Sequence, residues 1–202
     1  TGAQQAQVHF VGNILMDTLR HNRSRLQRPF AFSILGLKEK EYLLLTINRH
    51  SLLDNAERLK SIIQTLMSHT DKPIVAPLHN YVKDKFAALG IASDRLHVIP
   101  PQSYLAFGYL TNHASAIVTD SGNVAEEATF LGIPCITLNT YAEHPETVSI
   151  GTNCLVGDDV QQLENALETL RKGEWKKGQL PERWDGRTSE RIVQTLLEGA
   201  SL

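Results

Sequence analysis

The chain has 202 residues, with 20 Lys and Arg against 22 Asp and Glu, so its net charge is −2 with neutral His. Hydrophobic residues make up 42% and charged residues 21%. That balance belongs to an ordinary globular chain and excludes disorder as the main state, which needs lower hydrophobicity or a larger net charge. A chain of this length buries roughly 70% of its unfolded surface, enough for one substantial core. The near-neutral charge argues against a nucleic-acid partner held by bulk electrostatics.

The two cysteines, Cys135 and Cys154, sit in apolar stretches. They read as free thiols in a reducing compartment, not as a disulfide scaffold or a Cys-rich zinc site. No apolar run approaches the roughly 20 residues of a membrane span. The N-terminus lacks the basic-then-apolar order of a signal peptide. A cytoplasmic protein with no membrane partner is expected.

In chain order, Val8–Gly12 reads as a strand, Asn13–Leu19 as a helix and the basic, polar Arg20–Pro29 as a loop. Six apolar, β-branched runs follow: Tyr42–Ile47, Pro73–Leu78, Leu96–Pro100, Ala116–Thr119, Pro134–Leu138 and Asn153–Val156. Helical patterns separate them. Asn55–His69 carries Leu59, Ile62, Ile63, Leu66 and Met67 at the spacing of an amphipathic stripe. Tyr81–Leu89, Tyr104–His113 and Asn123–Leu131 read as helices, the first and last ended by Gly90 and Gly132. Val160–Leu170 and Ser189–Leu197 repeat the stripe, with Trp175–Gly186 as a connecting segment. Alternating strands and helices predict an α/β fold, a Rossmann-like, doubly wound parallel sheet with right-handed crossovers.

Ligands of such sheets bind at the carboxyl ends of the strands. Five successive ends carry polar, donor-rich residues: Asn48-Arg49-His50, His79-Asn80, Pro101-Gln102, Asp120-Ser121-Gly122 and Asn139-Thr140-Tyr141. The sharpest local feature is Thr119-Asp120-Ser121-Gly122, where a strand ends, a Ser-Gly turn follows and a helix begins. The first backbone N–H groups of a helix have no intrahelical acceptor and carry the positive end of its dipole. Gly122 removes the side chain that would block a phosphate, so the turn suits an anion. The plainer alternative is that Asp120 or Ser121 simply caps the helix. A carboxylate just behind this turn accepts hydrogen bonds from a ribose diol. Glu127 is assigned that part, and Glu126 is read as favourable dipole placement. The loop Asn139–Glu146, with Glu143 and His144, reads either as a clamp on a sugar or diphosphate or as plain solvated polarity. No Walker loop, dinucleotide glycine motif or nucleophile elbow occurs. The eight His lack paired spacing, so no metal or other cofactor is expected.

The sequence resembles the C-terminal half of the non-hydrolysing UDP-N-acetylglucosamine 2-epimerase family. Val11-Gly12-Asn13 with Met16-Asp17-Thr18-Leu19 is similar to the family's Gly-Asn-x-x-x-Asp-x-Leu segment. Pro101-Gln102-Ser103-Tyr104-Leu105-Ala106-Phe107 resembles its Pro-Gln-x-Tyr-Leu-x-Phe segment. Thr119-Asp120-Ser121-Gly122 with Glu126-Glu127 resembles its Thr-Asp-Ser-Gly-Gly-x-x-Glu-Glu signature, Asn123 replacing the second Gly. Gly132-x-Pro134, Glu143-x-Pro145-Glu146, Gly151-Thr152 and Leu155-Val156-Gly157 follow in family order.

The resemblance implies a glycosyltransferase-B-like architecture of two Rossmann-like domains with a UDP-sugar in the cleft. Residues 1–202 supply the C-terminal, UDP-sugar-binding domain, so the protein's own N-terminal domain is an implied partner, as is a second copy in a homodimer. By the same resemblance Ser121 and Gly122 hold the diphosphate and Glu127 the ribose. Phe107, with Gln102 nearby, lines the uracil pocket. Arg49 and His79 match positions that touch a second, regulatory UDP-sugar in some bacterial members. The implied reaction inverts C2 of the sugar by anti elimination of UDP to a 2-acetamidoglucal and syn re-addition, in a pathway of polysaccharide biosynthesis. This chain alone is expected to be inactive.

Four further positions depart from the family pattern. Asn48 stands where the family has a His implicated in catalysis, and Asn exchanges no proton near neutral pH. No catalytic residue is therefore assigned on this chain. His144 stands where the family has a phosphate-binding Arg, and Asn139 and Cys154 also replace Arg. Two alternatives accompany the epimerase reading. One is a glycosyltransferase-B-type or hydrolysing UDP-sugar enzyme, and the other is a non-catalytic UDP-sugar-binding module.

Overall fold

The apolar runs become six strands: β1 (Leu43–Thr46), β2 (Ile74–Pro77), β3 (Leu96–Ile99), β4 (Ala116–Thr119), β5 (Cys135–Thr137) and β6 (Asn153–Leu155). The structure, a computed structural model, describes residues 8–199. All neighbouring strands pair in parallel, in the order β3-β2-β1-β4-β5-β6. Central strands of such a sheet are covered on both faces, which is why they read as continuous apolar runs. The two-residue period still sorts the side chains. Leu43, Leu45, Ile74, Ala76, Ala116, Val118 and Ile136 enter one core, while Leu44, Val75, Ile99, Ile117 and Cys135 enter the other.

The helices, in chain order, are α1 (Ile14–Asn22), α2 (Phe30–Ile34), α3 (His50–Leu53), α4 (Ala56–His69), α5 (Asn80–Ala88), α6 (Tyr104–His113), α7 (Gly122–Leu131), α8 (Pro145–Ser149), α9 (Val160–Lys172) and α10 (Thr188–Gly199). On the first face α4 sets Leu59, Ile62, Ile63 and Leu66 against the strands, joined by Val82 and Phe86 of α5 and Leu163 and Leu167 of α9. Each such side chain stabilises the fold by about 1.5–3 kcal/mol relative to exposure. Phe32 of α2, Leu110 of α6 and Val124, Ala125 and Ala128 of α7 cover the second face. Gly132, at φ 68°, takes the left-handed conformation that ends α7, and its N–H donates to Thr129 O at 3.2 Å.

The expected α/β class and all six strands are present, and the segment from Trp175 to Gly186 is a connection without regular structure. Three expectations need correction. Val8–Gly12 forms no strand. The sheet ends at β3 and β6, and this segment is tied instead to the C-terminal arm. Arg191 donates to Val11 O at 3.2 Å, and the Arg183 guanidinium bonds Phe10 O and lies 5.2 Å from the Phe10 ring centre. Helix α1 runs three residues beyond Leu19 into the expected loop, and a 3-10 turn at Arg23–Arg25 follows. Three one-turn helices, α2, α3 and α8, were not anticipated, being too short to show a helical period.

Candidate functional site at the strand-order reversal

The strand order reverses between β1 and β4, and doubly wound sheets bind ligands in the crevice outside such a reversal. The chain leaves β1 through Asn48 and Arg49 and leaves β4 through Asp120, Ser121 and Gly122. Asp120 stitches these exits together. Its Oδ2 accepts the backbone N–H groups of Asn48 at 2.8 Å and Arg49 at 2.7 Å, and its carbonyl accepts from Asn139 Nδ2 at 3.1 Å. The second carboxylate oxygen, Oδ1, is buried without a hydrogen-bond partner. Burial pushes the Asp120 carboxyl up, opposed by the two backbone donors.

Ser121 is the N-cap of α7, and its Oγ accepts from Val124 N at 3.5 Å. Capping uses a lone pair and leaves the hydroxyl hydrogen free to donate. Ala125 N donates to Ser121 O at 3.2 Å. The N–H groups of Gly122 and Asn123 precede any intrahelical acceptor and stand at the positive end of the ten-residue helix. Ser121 thus caps the helix, the plainer of the two sequence readings, and the N–H groups of Gly122 and Asn123 lie beyond the reach of that cap.

The loop after β5 closes over this turn. The Glu143 carboxylate lies against Gly122, where a Cβ would collide with it, and it is ion-paired with the Arg49 guanidinium. Arg49 Nη1 also donates to the Tyr141 hydroxyl at 3.0 Å. These bonds, the Glu143 one foremost, hold Arg49 even more firmly protonated than usual.

Glu126 corrects a further expectation. It lies beyond the first turn of α7, is buried, and has specific partners: Asn13 Nδ2 donates to its Oε1, and His144 Nε2 lies 3.4 Å from its Oε2. Asn13 at the same time caps α1, its Oδ1 accepting from Leu15 N at 2.9 Å. His144 is thus paired and is not a free loop histidine. Glu127 is 7% exposed, and burial, with a smaller push from the Glu126 charge, raises its carboxyl to about 7. It lines a cavity of about 290 Å³ with Leu26, Tyr104, Gly108 and Phe130, where burial first and the Glu127 charge second raise the Tyr104 hydroxyl.

The remaining sequence candidates sit farther along the edge. Gln102 folds back, Nε2 donating to Pro100 O at 2.7 Å, and Phe107 packs partly buried against the second core. His79, the exposed residue before α5, stacks on Tyr81 with ring centres 5.8 Å apart, and Tyr81 stacks on His50 at 6.2 Å. Arg49, Ser121 and Gly122 converge; His79 stands apart, stacked on Tyr81, whose hydroxyl donates to Asn48 O at 3.3 Å. The sequence offered Asp120 as a cap candidate and Tyr141 and Glu143 within a loop read either as a clamp on a sugar or diphosphate or as solvated polarity, but it gave none of the three these partners. Their signal was position, since all three follow strands at the reversing edge. Among the described residues no cluster of three or more His, Cys, Asp or Glu is arranged for a metal ion, and no helix is long and apolar enough to cross a membrane.

The profile of the UDP-N-acetylglucosamine 2-epimerase family matches residues 1–197. A relative described as UDP-N-acetylglucosamine 2-epimerase from Methanocaldococcus jannaschii is 34% identical, over 98% of this chain and 57% of its own length. Its crystal structure in complex with UDP-GlcNAc and UDP superposes with a TM-score of 0.79 at 33% identity, covering 98% of this chain and 56% of that one. The UDP-GlcNAc 2-epimerase of Neisseria meningitidis bound to UDP-GlcNAc gives a TM-score of 0.81 at 27% identity, covering 97% and 57%. A Pseudomonas aeruginosa UDP-2,3-diacetamido-2,3-dideoxy-D-glucuronate 2-epimerase is 32% identical over 95% of this chain and 53% of its own length. The chain thus spans just over half the length of these relatives. By the family profile, which runs almost end to end, the chain belongs to the UDP-N-acetylglucosamine 2-epimerase family.

Proposed function

We propose that this chain is the nucleotide-binding half of a UDP-N-acetylglucosamine 2-epimerase. The complete enzyme interconverts UDP-GlcNAc and UDP-ManNAc by eliminating UDP and adding it back. One observation carries the reading. The α7 N-terminus, with a free Ser121 hydroxyl hydrogen and no side chain at Gly122, stands at the reversal of strand order beside Arg49. A diphosphate that leaves and returns must stay bound between the two steps, and preorganised donors aimed at the departing charge serve both. Ser121 and Gly122 are the diphosphate contacts, and Glu127 receives the ribose hydroxyls. Tyr104 and Phe107, three residues apart on α6, and Gln102 before it frame the uracil side. His144 takes a place beside the phosphates through its pairing with Glu126. His79 contacts a second, regulatory UDP-sugar, and Arg49 stands between that ligand and the diphosphate.

The relatives' extra length supports an N-terminal half as partner. The exposed Val193 and Leu196 of α10, with Phe10 and Ile14, give it an apolar surface to meet. We further propose a cytoplasmic homodimer. Asn48 favours a second reading, a UDP-sugar enzyme that releases UDP, because the family histidine is missing there.

Titration of the intact protein with UDP and UDP-GlcNAc tests the site. Binding of both, weakened at least about tenfold by Ser121→Asp through charge repulsion at the helix start, is expected. Unchanged affinity in that variant removes the diphosphate assignment. Exchange of the C2 proton with deuterated water marks the epimerase, and steady release of free UDP marks the second reading.

A further inference from the structure

Strand order puts the ends of β1 and β5 on either side of β4. A contact between the loops that follow them therefore passes over the β4–α7 turn. Arg49 and Glu143 make that contact, steadied by Tyr141, whose ring centre lies 5.8 Å from the guanidinium. The Glu143 carboxylate reaches Gly122. An anion of the chain itself thus stands before the donors that would receive a ligand's phosphate, and it uses the nearest cation.

We propose that Glu143 is an internal anion that holds the diphosphate site closed, and that a pyrophosphate enters by displacing it from Arg49 and from the start of α7. The inference rests on the reading of that turn as the diphosphate site.

The two partners are anchored unequally. The Arg49 backbone is fixed by Asp120 Oδ2 at 2.7 Å, which keeps the base of its side chain beside the turn. The Glu143 side chain is 32% exposed and projects from a loop, so it swings into solvent without unpacking a core. Burial chiefly raises the Glu126 carboxyl, His144 and Asn13 oppose it, and Glu146 and Glu143 add smaller like-charge pushes, so the closed loop carries a modest repulsion between Glu143 and Glu126. A pyrophosphate offers more charge and more acceptor oxygens to the same guanidinium and amides than one carboxylate does. The exchange therefore runs toward the ligand, less the affinity spent on opening.

Calorimetric titration of the intact wild-type protein, Glu143→Gln and Glu143→Ala with UDP and with uridine tests this. The surface position keeps both variants folded, which thermal melting checks. Glu143→Gln is expected to bind UDP about three- to tenfold tighter, the scale of one ion pair and its hydrogen bonds. Glu143→Ala is expected to bind at least as tightly, and uridine, lacking phosphate, equally in all three proteins. UDP binding by the variants alone also supports the proposal. If the wild type binds UDP and neither variant binds it more tightly, the closure is wrong while the diphosphate site stands. If uridine tightens as much as UDP, the effect is not at the phosphates and the closure is overturned. If none of the three binds UDP, site and closure fall together.

Discussion

Glu126 Oε2 and His144 Nε2 stand 3.4 Å apart, with the Glu126 side chain 5% exposed. The other carboxylate oxygen accepts from Asn13, so one buried group of α7 ties the start of α1 to the start of α8. A buried carboxylate persists only with partners, because desolvation is costly and each missing hydrogen bond adds to it. Glu126→Ala removes the acceptor that holds Asn13 and leaves a small cavity, and it should destabilise the fold by about 2–4 kcal/mol. Glu126→Gln keeps an oxygen for Asn13 and sheds the buried charge, so it should stay within about 1 kcal/mol of wild type. Urea unfolding measures both. Equal damage from the two variants would mean that charge, and not hydrogen bonding, holds the three elements together.

Glu127 sets a pH dependence whose sign is fixed by the direction of its shift. Its folded carboxyl titrates at about 7, raised from the usual carboxylate range chiefly by burial. Between about pH 4.5 and 7 the folded state binds more protons than the unfolded state, so this group's contribution falls as pH rises. Glu127→Gln should therefore match wild type near pH 4 and exceed it by on the order of 2–3 kcal/mol at pH 8. Urea midpoints at the two pH values decide this. A ribose diol that donates to both carboxylate oxygens favours the ionised form, so UDP binding near pH 6 should release a proton in wild type and not in the variant. Calorimetry in buffers of different ionisation enthalpy reads that proton.

Arg58 holds the far side of the same edge. From α4 its Nη2 donates to Leu138 O at 2.9 Å and Gly157 O at 3.2 Å, and it pairs with Asp158. Leu138 immediately precedes the loop that carries Tyr141, Glu143 and His144. Arg58→Ala strips two part-buried carbonyls and should cost about 2–4 kcal/mol. Arg58→Lys should recover less than half of that, because its ammonium sits on a shorter, more flexible stem than the Nη2 that donates to both carbonyls. Hydrogen exchange across residues 139–144 should quicken in both variants. Exchange confined to α4 would show that Arg58 serves its own helix only.

How far the sequence reveals this arrangement depends on the range of each interaction. The strands were legible because burial on both faces leaves a continuous apolar run, as in Leu43–Ile47, and α4 because its stripe spans several turns. The α7 turn was legible because strand end, Ser121, Gly122 and helix start are consecutive. Glu126 was misjudged because its partners, Asn13 and His144, are distant in sequence and belong to elements too short or irregular to place. The Arg49–Glu143 contact depends on β1 and β5 flanking β4, and a list of strands in chain order does not give their order in the sheet. Val8–Gly12 misled for the same reason: its apolar residues meet the C-terminal arm, which no local pattern announces.

Gly122→Ala separates the needs of the fold from those of the ligand. Gly122 begins α7, where alanine is the better helix former by up to about 1 kcal/mol. The three atoms nearest the added Cβ all belong to the Glu143 side chain, the carboxylate end first. That end is flexible and moves, so stability should stay within about 1 kcal/mol of wild type while the Arg49 ion pair breaks. The new methyl then stands where phosphate oxygens approach the Gly122 and Asn123 amides, and UDP affinity should fall at least about tenfold, the loss of one or two charge-assisted hydrogen bonds. Adding Glu143→Ala to this variant should restore nothing, because the obstacle is the Cβ and not the carboxylate. Full restoration in the double variant would mean that the phosphates never approach Gly122 closely.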